Sequence, residues 1–166
     1  MTEQKLDNLY AYLLLRGDLP SMGRGKSQAH AMHAGNAMTH ELWVKPLLAG
    51  QTVDERTLAW HAQGKGFGVT ISLGKDDQVT KDRIERIVAV ARSIGLLADT
   101  VRDPTYPYFV DDEIFPLLRA DVHTEEPKRV RGGWICCRDE ITACWIMGDK
   151  AELDVLLARF DLAPND

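Results

Sequence analysis

Two hydrophobic periods alternate along the chain. Leu9 to Leu19 (LYAYLLLRGDL) begins as a nearly continuous apolar run closed by Gly17, Asp18 and then Pro20, the pattern of a strand covered on both faces. From Ser27 to about Leu48 the spacing turns helical. Ala29, Ala31, Ala34, Ala37 and Met38 are side chains that let a helix sit close to a sheet, and Pro46 limits its far end. Thr52 to Trp60 predicts a short helix in which Thr52 and Glu55 are spaced as a capping box. Phe67 to Gly74 is β-branched and bounded by glycine, a second strand. The next segment puts Ile84, Ile87, Val88, Ala91 and Ile94 on one helical face, with Thr80 as N-cap and Gly95 as stop. A short third strand (ADTVRD, Ala98 to Asp103) and a fourth (Glu140 to Gly148) follow. An amphipathic helix then closes the chain with Leu153, Leu156, Leu157 and Phe160 inward.

Strands alternating with helices imply a mainly parallel sheet covered on both faces, because a parallel crossover needs a helix-sized connection. No helix separates the third and fourth strands, so one strand is expected to be antiparallel. Between them, 104–133 reads as a long, proline-punctuated, charged insertion. A length of 166 residues fits one domain with a core of its own. No apolar run is long enough to span a bilayer, and MTEQKLDN lacks the basic-then-apolar pattern of a signal peptide, so the expected location is the cytoplasm, away from membranes. Cys136, Cys137 and Cys144 form no CxxC pair and read as reduced thiols.

The net charge of −5 makes one local feature conspicuous. Gly23, Arg24, Gly25 and Lys26 lie where strand gives way to helix. Glycines there permit close backbone approach to a ligand, and the free N–H groups and dipole of a helix start favour an anion. The spacing is neither a Walker loop nor GxGxxG, since Gln28 stands where the latter needs glycine. On these residues alone the loop is either a phosphate site or an ordinary turn. His30 and His33 share a helix face, but nothing nearby in the sequence supplies a third ligand, so they read as packed or hydrogen-bonded rather than metal-binding. His40 and His123 have no chemical context and read as surface residues, and His61 is undecided.

The stretch RGDLPSMGRGKSQAHAMHA resembles the peptidyl-tRNA hydrolase 2 family of archaea and eukaryotes. Arg16, Asp18, Leu19, Met22, Gly23, Gly25, Lys26, Ala29, His33 and Ala34 fall in its pattern. Arg24 replaces a lysine, and His30 and Ala31 replace Gln and Cys. Later Trp60, Gln63 and Lys65, then Arg102-Asp103, then Thr142 and Gly148, match in order and spacing. The family's threonine after the aspartate has no clean counterpart: Thr105 falls short of its place, where Pro107 stands.

The resemblance implies a three-layer α/β/α sandwich with a four-stranded mixed sheet, commonly dimeric. It implies hydrolysis of the ester joining peptide to tRNA, with tRNA as partner and no metal or other cofactor. Carried onto this chain, Lys26, His33, Asp103 and Thr142 are the expected catalytic set. Gly23, Arg24, Gly25, Gln63 and Lys65 are the expected substrate contacts. Asp103 would hold a water or a lysine, and Lys26 and Lys65 would meet phosphate or the oxyanion. His33 either lines the cleft or bonds a neighbouring carbonyl, and Thr142 either donates to the ester or packs as a β-former. Lys128, Arg129 and Arg131 beside Trp134 either track a tRNA backbone or form a solvated loop. Two rival classes are a non-catalytic tRNA- or protein-binding module on the same fold and a hydrolase of another ester or amide.

Overall fold

A computed structural model describes residues 6–19, 22–74, 79–119, 122–160 and 162. The chain runs β1 (Leu9–Leu15), α1 (Arg24–Thr39), a π-helical turn (His40–Val44), α2 (Lys45–Leu48), α3 (Glu55–Ala62) and β2 (Thr70–Gly74). It continues through α4 (Lys81–Ser93), β3 (Leu97–Asp111), a 3-10 turn (Phe115–Leu117), β4 (Lys128–Val130), β5 (Gly133–Asp149) and α5 (Lys150–Ala158). Pro20, expected to help end the first strand, lies outside the described residues. Among the described residues no helix is long and apolar enough to cross a membrane.

The sheet order is β2-β1-β5-β3, with β1 and β2 parallel and β5 antiparallel to both β1 and β3. One antiparallel strand in an otherwise parallel set is what the missing third crossover helix predicts. Side-chain alternation sorts the core into two layers. Tyr12, Leu14, Cys144 and Ile146 meet the apolar face of α4 (Ile84, Ile87, Val88, Ala91) and Leu153, Leu156 and Leu157 of α5. Leu13, Leu15, Ala143 and Trp145 meet Ala34 and Met38 of α1 and Trp60 of α3 on the other face. Phe160 packs on the first layer only partly buried.

Four details differ from the sequence reading. The segment 104–133 is not a detached insertion: β3 extends to Asp111 and β5 begins at Gly133, and the two pair from Tyr106 opposite Arg138 to Asp111 opposite Gly133. β4 pairs with the other side of β5 at Gly133–Ile135, so the sheet has five strands rather than four. Pro104 and Pro107 are tolerated because β3 is an edge strand and Pro104 falls in a register shift between Asp103 and Tyr106. Asp54, not Thr52, caps α3, its carboxylate accepting from the Arg56 N–H at 2.9 Å. His123 is not a bare surface residue, stacking between Phe115 and Tyr108 at 6.4 Å from each ring. The Thr80 cap and the Gly95 stop (φ +88°) stand as predicted.

Arg16 ties the end of β1 to β5. Its buried guanidinium makes a two-bond pair with Asp18 (2.7 Å each), bonds Glu140 at 2.6 Å and donates to the Ile141 carbonyl at 3.0 Å. The Arg-x-Asp step is thus a structural strut. Arg16→Met leaves the buried Glu140 with Arg138 as its remaining cation and is expected to lose about 3 kcal/mol. In thermal unfolding that is a Tm drop of roughly 6–12 °C.

Gly68 has φ +69°, and a Cβ there would stand 2.4 Å from the Trp60 ring, whose indole N–H donates to the Val69 carbonyl at 3.0 Å. Gly68→Ala is expected to destabilise by about 2 kcal/mol, measured by denaturant unfolding. Burial lifts the Cys144 thiol to about 12. It therefore stays protonated through pH 9, and alkylation of native protein should spare Cys144 while the unfolded chain reacts at all three cysteines.

Candidate functional site

α1 begins at Arg24, with Gly23 as N-cap and no side chain among the described residues capping it. Its first intrahelical bond runs from the Ser27 N–H to the Gly23 carbonyl at 2.9 Å. The N–H groups of Arg24, Gly25 and Lys26 therefore point out of the helix end. Gly23 adopts ordinary extended backbone (φ −78°), and Gly25 is simply helical. Neither glycine is required by its backbone conformation: neither has a positive φ, and a Cβ at either would meet nothing within 4 Å. What they leave is open space over the helix start. Arg24 is exposed in it.

Lys26 and His30 are four residues apart and share the α1 face that continues to the buried Ala34. Lys26 Nζ donates to the Pro107 carbonyl at 2.9 Å and stands 4.9 Å from the centre of the Tyr106 ring. Burial lowers the pKa of this ammonium, while the nearby Asp103 charge opposes that shift. His30 is only 3% exposed, packs 5.6 Å from Tyr106 and 5.4 Å from His33, and its Nδ1 has no hydrogen-bond partner. Its pKa is likewise pushed down by burial. His33 is exposed at the rim.

Asp103 reaches this face from the opposite element. Leu15 pairs with Ala143, which pairs with Val101, so Asp103 lies just past the C-terminal end of β1, where the chain turns toward α1. The bulge that follows turns its carboxylate into a local cap: Oδ1 accepts from the Thr105 N–H at 2.9 Å and the Thr105 hydroxyl at 3.3 Å. One nitrogen from each of His30 and His33 and one carboxylate oxygen of Asp103 lie within 4.8 Å of one another. Lys26, His33 and Asp103 are thus brought near one another. His30 and Tyr106 join them unannounced, His30 because the family pattern has Gln there and Tyr106 because it belongs to the supposed insertion. The spacing Lys26–His30–His33 was the available signal.

Two expected site residues lie elsewhere. The Gln63 amide faces the backbone of Leu9. Turned so that its nitrogen meets the carbonyl and its oxygen the N–H, it makes both bonds, at 3.1 and 3.3 Å. Lys65 (φ +62°) sits in the glycine-rich turn that leads into β2. Both therefore flank the N-terminal end of β1, the length of that strand, about 20 Å, from the Lys26 cluster. The neighbouring pocket, about 500 Å³, is apolar and lined by Leu42, Trp43, Trp60 and Phe67. The physical reason is topological: residues entering a strand parallel to β1 lie at the edge where β1 starts, whereas α1 departs from the edge where it ends.

Thr142 is the extra residue of a bulge, since Val101 pairs with Ala143 and Arg102 with Ile141. It lies at the same edge of the sheet as Asp103 and is completely buried, its hydroxyl without a hydrogen-bond partner among the described residues. Its carbonyl accepts from the Arg16 N–H at 3.0 Å. The basic group near Trp134 is exposed throughout: Arg129 pairs with Asp112 and lies 5.1 Å from the centre of the Trp134 ring, and Lys128 and Arg131 face solvent. No protein-family model matches the sequence, and no curated protein matches it.

Proposed function

We propose that the protein is a cytoplasmic hydrolase that cleaves the ester between peptide and tRNA, working at the cleft between the start of α1 and the bulge of β3. The observation that carries this reading is the convergence of Lys26, His30, His33 and Asp103 beside open helix-start N–H groups. Ester hydrolysis needs an acceptor to orient water and a donor for the developing oxyanion. Asp103 supplies the acceptor. Lys26 spends one of its three N–H groups on Pro107 and keeps two for the oxyanion. The uncapped helix end with Arg24 suits a phosphate of the tRNA terminus. Water adds to the ester carbonyl carbon, and its proton passes by way of the Asp103 carboxylate to the departing ribose 3′ oxygen.

One observation favours a binding module instead: the Lys26 ammonium is already engaged by a carbonyl and an aromatic face. Release of free tRNA from an N-blocked aminoacyl-tRNA separates the two. Asp103→Ala is expected to lower kcat/KM by at least about 100-fold, and Lys65→Ala, at the far edge of the sheet, to leave it unchanged. Turnover unaffected by Asp103→Ala removes the proposed role. Salt-sensitive tRNA binding without any turnover establishes the binding module.

A further inference from the structure

We propose that His30, His33 and Asp103 form a binding site for a divalent first-row transition ion, with zinc as its natural probe. Two imidazoles one helical turn apart and a carboxylate delivered from the facing strand make a three-ligand set of the kind that leaves a coordination position open. Their ligand atoms lie within 4.8 Å of one another. Sharing one ion requires separations of about 3 Å, a closure that rotation of the exposed His33 ring and the half-buried Asp103 carboxyl can supply.

A second, independent observation points to a ligand here. His30 is buried, yet among the described residues its Nδ1 has no hydrogen-bond partner, a state that costs stability unless a ligand satisfies it. Among the described residues Asp103 makes no ion pair: its carboxylate accepts from Thr105, and Lys26, whose charge is coupled to it, is turned to Pro107 and Tyr106. That leaves an anionic oxygen facing two imidazoles. The Lys26 ammonium opposes a second cation nearby and sets the limit on affinity.

The proposal concerns retention of the ion and does not rest on which ester, if any, the protein cleaves. Untagged full-length protein is titrated with Zn²⁺ against a chromophoric chelator, and separately with Co²⁺, whose visible bands report nitrogen and oxygen ligation. The variants are His33→Ala and Asp103→Asn, chosen because neither alters a core side chain and folding is not at stake.

One equivalent per chain is expected in the wild type. Each variant should bind at least about tenfold more weakly, since loss of an outer-shell partner alone costs 10- to 100-fold, and the Co²⁺ bands should disappear. Absence of a retained equivalent, or affinity unchanged in either variant, overturns the site. Turnover of peptidyl-tRNA by metal-free protein would leave the hydrolase reading intact while the ion titration decides this one.

Discussion

The seating of α1 on the sheet is the contact from which the cluster of Lys26, His30, His33 and Asp103 follows. Ala34 is fully buried against the strands, and Met38 lies beside it one turn on. A larger side chain at position 34 would lift the helix by the thickness of the added atoms in a close-packed layer. Because Lys26 and His30 extend the same face toward the helix start, the depth of Ala34 decides whether they reach Tyr106 and Asp103. The chemistry of the site is carried on a packing distance set two turns away.

The second constraint is where β3 departs from regularity. Up to Val101 the strand follows β5 residue for residue; two register shifts then separate Val101 from Arg102 and Asp103 from Tyr106. Bulges re-aim side chains. Here they bring the Asp103 carboxylate and the buried Tyr106 ring to the α1 side, and they provide the place where Pro104 does least harm to the ladder.

Much of this was readable from the chain. The alternation of periods foretold the α/β class, the antiparallel strand and α4 with its Thr80 cap. The glycine-lysine turn and Arg102-Asp103 marked the two segments that meet beside His30 and His33. What the sequence concealed was of two kinds. β3 and β5 extend through Tyr106 and Cys136 because their pairing is non-local, and prolines on an edge strand look like loop residues until the edge is known. Gln63 and Lys65 were drawn into the site by linear motif order. The direction of β2 relative to β1 would have excluded them, since only loops leaving the strands at their C-terminal ends gather beside α1. A bulge, which no periodicity announces, also encloses the Thr142 hydroxyl inside the sheet.

Pro104 and Pro107 have one more consequence. A fifteen-residue strand at a sheet margin offers a long row of backbone groups to any passing chain, the template on which proteins polymerise edge to edge. Two missing amide hydrogens and a kink interrupt that row close to the segment that carries Asp103. The same irregularity that shapes the cleft guards the molecule against self-assembly into fibrils, so replacing these prolines to regularise the strand would trade colloidal safety for a straighter ladder.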